Sequence, residues 1–133
     1  MTRYVITADV AIHLAREQLS VGDGVQLLAP ALLRSQVVSS LYRSVRRGEL
    51  SRAEADRCLD AVRALRLRLL GDRVLQRKAW DVADELGWDD TYDAESIALT
   101  VLQADALVTG NERLAEAAER FVTVEPLAVL LQD

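Results

Sequence analysis

Apolar positions along this chain follow two rhythms. Short runs rich in β-branched and other apolar residues alternate with longer stretches in which apolar residues return every three or four positions. Arg3 to Thr7 (RYVIT) is the first such run, and Val10 to Leu19 (VAIHLAREQL) has helical spacing. Val21-Gly22-Asp23-Gly24 reads as a turn, and Val25 to Ala29 as a candidate brief strand before Pro30. Pro30 suits the first turn of a helix. That helix runs through ALLRSQVVSSLYRSVRRG to a C-cap at Gly48, with Leu33, Val37, Leu41 and Val45 as its buried face. Gln36 lies beside this face and Ser40 follows it by four.

Ser51 with Glu54 three places on forms a capping box. The helix it opens carries the stripe Ala55, Leu59, Val62 and Leu65, with Cys58 as a small buried residue. Leu65 to Leu70 (LRLRLL) alternates apolar and basic residues, the period of a half-exposed strand. After a turn at Gly71-Asp72, Val74 to Leu86 is predicted helical, closed by Gly87, with Trp80 partly buried. Thr91 to Leu114 then holds a polar turn with Tyr92 and Asp93, an apolar-periodic helix, the strand Ala106 to Thr109, and the turn Gly110-Asn111-Glu112. A helix from Arg113 to Arg120, a last strand Phe121 to Val124, and a helical turn from Pro126 through Leu131 complete the chain.

Laid end to end the elements read β, α, α, α, β, α, α, β, α, β, with Val25 to Ala29 outside that count. Such alternation implies an α/β protein whose mainly parallel sheet is covered on both faces. No repeat or linker interrupts it, and 133 residues suit one domain spanning 1–133.

Composition narrows the class. Half the residues are hydrophobic, so a packed fold is expected rather than disorder. No apolar run approaches the ~20 residues needed to span a bilayer, and MTRYVITADV reads as a first strand rather than a secretion signal. A single cysteine, Cys58, leaves no internal disulfide and no thiolate cage for a metal. A cytoplasmic protein is the expectation. The net charge of −5 argues against indiscriminate binding to polyanions. Cations nonetheless cluster at Arg43, Arg46 and Arg47, and acids at Asp81, Asp84, Glu85, Asp89, Asp90, Asp93 and Glu95; solvated helix surface is the plainer reading of both groups.

Candidate chemistry sits where elements end. Asp9 follows the first strand and opens a helix, which fits either an N-cap or a site at the strand's carboxyl end. Asp93 stands at a helix start and Asn111 just past a strand. In a parallel sheet those places lie at one edge, where an acid and a second acid or an amide can share a metal ion. Gln36 is a fourth polar residue, at the margin of an apolar stripe. His13, the sole histidine, reads as packing or surface. No Ser-His-Asp set, phosphate-cradling glycine loop or zinc spacing can be assembled.

The residues Val5-Ile6-Thr7-Ala8-Asp9, Ala29-Pro30 with Leu32-Leu33-Arg34-Ser35-Gln36, Arg68-Leu69-Leu70-Gly71-Asp72, Tyr92-Asp93-Ala94 and Leu107 through Leu114 (LVTGNERL) together resemble PIN domains. Within that family the likeness is to the VapC-type toxins of bacterial toxin–antitoxin pairs, and it runs nearly end to end. It implies a three-layer α/β/α fold with a mainly parallel sheet of about four to five strands, and a magnesium- or manganese-dependent endoribonuclease. Asp9 and Asp93 would ligate the metal; Gln36 and Asn111 would complete the catalytic set. Arg43, Arg46 and Arg47 are the candidates for contact with RNA phosphates. RNA is then the substrate, a cognate antitoxin the partner and a homodimer the expected assembly.

Two positions depart from the family pattern. Aspartate is usual where Asn111 stands, and glutamate where Gln36 stands. Each change keeps an oxygen acceptor and removes a negative charge. At an effective dielectric of ~20, one charge opposite a divalent ion at ~4 Å is worth several kcal/mol before desolvation. Metal binding should therefore be weakened, and a PIN domain that no longer cuts and serves as a protein- or RNA-binding module is the alternative. Asp89 and Asp90 are the nearest acids that could compensate, whereas Glu95 is directed elsewhere by its helical phase, and Glu112 is an acid that such proteins carry without using it as a ligand.

Overall fold

A computed structural model describes residues 1–131. Four strands, β1 (Thr2–Ile6), β2 (Val25–Pro30), β3 (Leu67–Leu70) and β4 (Ala106–Val108), lie parallel in the order β3-β2-β1-β4. Helices α1 (Ala8–Arg16), α2 (Leu33–Arg46) and α3 (Arg52–Ala64) precede β3. Helices α4 (Arg73–Leu86) and α5 (Tyr92–Gln103) connect β3 to β4, and α6 (Glu112–Ala118) follows.

The period of two along a strand divides the core. Ile6, Leu27, Ala29 and Val108 point to one face, where they meet Val10 and Leu14 of α1, Leu33, Val37 and Leu41 of α2, and Ala55 and Cys58 of α3. Val5, Leu28 and Leu107 point to the other, against Leu75 and Val82 of α4, Ile97 and Leu99 of α5, and Leu114 of α6. The architecture is three-layer α/β/α, as the alternation of elements implies. A sheet buried on both faces needs no polar alternation, and β2 accordingly buries Leu27, Leu28, Ala29 and Pro30 in succession.

Helix ends follow local chemistry. The Ser51 hydroxyl accepts the Glu54 N–H at 3.0 Å while the Glu54 carboxylate accepts the Ser51 N–H at 3.0 Å, the capping box read from sequence. Gly87 closes α4 with φ of 70°, a left-handed conformation that favours glycine.

Three expectations are corrected. Pro30 is the last residue of β2, paired with Leu70, and helix α2 starts only at Leu33; a proline tolerated at a strand's end lets the strand run one residue further. Trp80 is 69% exposed, because the stripe Leu75, Ala79, Val82 and Ala83 turns the opposite face of α4 inward. Phe121 to Val124 makes one parallel bridge, Leu107 with Val124, rather than a strand. The N–H groups of Phe121 and Val122 are drawn back to the Ala118 carbonyl at 2.9 Å each, and Pro126 brings no N–H to extend the ladder.

Candidate metal and phosphate site

Strand order places the site. From β1 the chain steps outward through β2 to β3, with α1, α2 and α3 on one face. Helices α4 and α5 then bring it back over the other face to β4, on the far side of β1. The order reverses between β1 and β4, and open α/β sheets bind ligands beyond the carboxyl ends of the strands at such a reversal.

Register does the fine positioning. Tyr4 pairs with Ala106, Val5 with Leu107 and Ile6 with Val108, so Thr7 and Thr109 leave the edge side by side. Their hydroxyls are hydrogen-bonded at 2.8 Å. The Asp9 carboxylate lies across them: one oxygen accepts the Gly110 N–H at 2.7 Å and the other is hydrogen-bonded by the Thr7 hydroxyl. The N-cap of α1 is Thr7, so Asp9 does not cap its own helix but reaches over to the end of β4. Gly110 is required for this approach, since a Cβ there would fall 2.5 Å from the Asp9 Oδ2. Asn111 accepts the Leu114 N–H on its Oδ1 at 3.1 Å and thereby caps α6, while its own N–H donates to the Thr109 hydroxyl at 3.2 Å.

Asp93 comes from the first turn of α5 and is half-buried. Burial pushes its carboxyl above the usual aspartate range; the nearby charge of Asp90 adds to this, Arg113 opposes it, and Asp9 raises it further.

Asp9, Gln36, Asp93 and Asn111 all line one cavity of about 480 Å³. The end of β1 contributes Thr7 and Ala8 as well, and the end of β4 Thr109. Helix α2 adds Ser35, Ser39, Ser40 and Arg43, α5 adds Ser96 and α6 adds Leu114. The structure thus gathers the four site residues expected from sequence. Of the three arginines it brings Arg43 to the cavity wall, whereas Arg46 and Arg47 lie at the exposed end of α2, outside the lining. Asp89, Asp90, Glu95 and Glu112 also stay out of it. The Asp90 carboxylate accepts the Tyr92 N–H at 3.2 Å and so steadies the start of α5. His13 is exposed and lines a smaller hollow on the far side of Asp9 with Gly110 and Leu127.

Several lining residues escape a reading of the sequence for acids. Thr7 and Thr109 each stand two places before a site residue, as Thr7-Ala8-Asp9 and Thr109-Gly110-Asn111; that shared spacing at two strand ends is the signal that finds them. Ser35, Ser39 and Arg43 recur at intervals of four beside Gln36 and Ser40, which puts them on one face of α2.

As a donor set the cavity is all oxygen: two carboxylates, two amides and several hydroxyls. Among the described residues no three of His, Cys, Asp and Glu come together to hold a metal. Such hard donors suit a magnesium-like ion that keeps much of its water.

No protein-family profile matches the chain, and no curated protein does. Among solved structures, PAE2754 from Pyrobaculum aerophilum superposes with a TM-score of 0.74 at 22% identity, over 96% of this chain and 90% of that one. What is shared is the fold. No helix among the described residues is long and apolar enough to cross a membrane.

Proposed function

We propose that this chain is a PIN-like, VapC-type endoribonuclease that uses magnesium or manganese to cleave RNA phosphodiesters, acting in the cytoplasm as the toxin of a toxin–antitoxin pair. One observation carries the reading: Asp9 and Asp93, 84 positions apart in sequence, line a single cavity at the strand-order reversal, with Gln36 and Asn111 also in its lining.

The residues fit the ion. Asp9 and Asp93 would hold it, with water and a substrate phosphate completing its shell. Bound there, it would supply Lewis-acid polarisation of the phosphate and a more acidic water. The chain's own part is positional. Thr7 and Gly110 fix both oxygens of Asp9 from separate segments, so the carboxylate is aimed before any ligand arrives. Partial burial raises the pKa of Asp93, so a cation bound beside it would favour the ionised form. Gln36 and Asn111 present neutral amides that accept and donate hydrogen bonds to water or phosphate without adding charge. A cognate antitoxin and a second copy of the chain are the expected partners.

Purified protein with manganese should cleave structured RNA, and Asp93→Ala should abolish that cleavage. Equal cleavage by the variant would trace the activity to contamination and remove the enzyme from consideration.

Two amides where metal chemistry favours carboxylates support a second reading, a PIN-like domain that binds without cutting. On that reading wild-type protein shows no saturable uptake of manganese, whereas the double change Gln36→Glu with Asn111→Asp creates it. A double variant that still takes up no metal would mean that these four residues do not form one metal cavity.

A further inference from the structure

Helix α4 has an outer face that neither the core nor the cavity uses. Leu75, Ala79, Val82 and Ala83 are buried, while Arg73, Arg77, Trp80 and Asp84 are exposed and follow one another at intervals of four, three and four residues. That spacing sets them in a single row along the helix. Trp80, inside the row, is 69% exposed. Its ring has no cationic partner: among the described residues the cation–π contacts are Arg113 on Trp88 and Arg120 on Phe121. The charges of α4 are sorted by half, with Arg73, Arg77 and Lys78 before Trp80 and Asp81, Asp84 and Glu85 after it. This order opposes the helix macrodipole, which favours acids near the start and cations near the end. Nor are the charges neutralised within the helix. The ion pairs among the described residues are Arg52 with Asp56 and Arg63 with Asp60, both on α3. A helix that sorts its charges against its own dipole, and leaves a tryptophan bare between them, is matched to the same helix turned end for end.

We propose that α4 is a self-docking face: two copies of this chain pair through it, antiparallel about a two-fold axis, with each Arg73 against the partner's Asp84 and each Arg77 on the ring of the partner's Trp80. Arg73 and Asp84, like Arg77 and Trp80, share one midpoint, between Lys78 and Ala79. A two-fold axis there satisfies both pairs twice over, as a self-complementary patch requires. A parallel pair would instead set cations on cations. The spacing of the row is that of a helix–helix seam, Trp and Arg are the side chains that most often anchor interfaces, and a guanidinium over an indole adds cation–π attraction. Reversal also sets the two macrodipoles in opposition, each positive end beside a negative one. A second copy of the chain is already an expected partner; α4 gives that contact a face, a direction and a register. One helix pair covers less than the ~1,200 Å² of a standard interface, so the dimer is weak and forms as concentration rises. Neither metal nor RNA enters, so the contact stands or falls apart from the nuclease reading.

Sedimentation velocity over a concentration series tests this on the full chain in EDTA. Wild type should pass from monomer to dimer, and less readily as salt is added. Arg73→Glu and Asp84→Arg, each alone, should weaken self-association at least about tenfold, because each sets two like-charged contacts in the interface. An equal mixture of these two variants should dimerise as wild type does, since every contact across the mixed pair is again opposite in sign. The double variant should regain self-association for the same reason. Trp80→Ala should also weaken it at least about tenfold, whereas Arg57→Glu, on the exposed face of α3, should leave it unchanged. Circular dichroism checks that each variant keeps the fold. A chain that stays monomeric up to about 1 mM, or a dimer that Trp80→Ala leaves intact, would overturn the proposal. So would charge variants that do not rescue one another on mixing, or an equal loss in Arg57→Glu.

Discussion

At the scale of single residues the cavity depends on close approach. Gly110 lets the chain leaving β4 touch the Asp9 carboxylate, and an added Cβ would stand 2.5 Å from its Oδ2. Gly110→Ala should therefore push Asp9 aside and reduce cleavage by on the order of 100-fold, the cost of misplacing a catalytic group by about 1 Å. Circular dichroism should show the fold intact; unchanged cleavage would mean that Asp9 tolerates a different seat. Asp93 offers a second handle. Its folded-state pKa is raised by burial, then by Asp90, so the folded chain binds this proton more readily than the unfolded one. The stability it contributes is fully present below the unfolded pKa and is lost as pH rises through the folded pKa. In EDTA, Asp93→Asn should consequently melt higher than wild type at neutral pH, and the gain should shrink as pH falls through the raised folded-state pKa towards the ordinary aspartate range, and be gone below it. A gain that does not vary with pH, or a loss at neutral pH, would contradict this. Asp9, Gln36, Asp93 and Asn111 could be picked out in sequence because each is polar at an element's end or an apolar margin. Arg43 could not be told from Arg46 and Arg47, since all three are cations near one helix end. Reach along the axis separates them, and Arg47 lies four residues, about 6 Å, beyond Arg43.

At the scale of elements, ends matter more than interiors. The capping box of α3 and the closing Gly87 of α4 were readable because their bonds lie within one helical turn of sequence. The end of β2 was not, because Pro30 belongs to the strand through its pairing with Leu70, forty residues away. Phe121 to Val124 failed as a strand for a competing local reason: its first two N–H groups are taken by the end of α6. Asn111 shows how an element end and a site share one residue. It caps α6 through Leu114 while lining the cavity. Asn111→Ala should cost about 1 kcal/mol of stability, and Asn111→Asp only a few tenths, because aspartate and asparagine are equally good N-caps. Urea denaturation separates the two; equal losses would mean that the cap contributes little, and it is the cap that keeps Asn111 available for exchange to a carboxylate without damage to the helix.

At the scale of the whole molecule, the alternation of elements was enough to imply a parallel sheet covered on both faces. Strand order was not available from it. Only the pairing of β1 with both β2 and β4 shows that the chain reverses direction across the sheet, and that reversal gives residues near 9, 36, 93 and 111 a common space. The net charge of −5 describes the chain as a whole but not this cavity, whose lining includes two carboxylates, a guanidinium and a row of hydroxyls. Metal binding by Asp9 and Asp93 is the step on which the functional account turns, and a manganese titration followed by electron paramagnetic resonance reads it without RNA or partner. Wild-type protein is expected to take up one manganese ion saturably, Asp93→Ala to take up none, and Gln36→Glu with Asn111→Asp to bind it at least about tenfold more tightly. Uptake that is absent from wild type and double variant alike, or that survives unchanged in Asp93→Ala, would contradict a metal site between these two carboxylates.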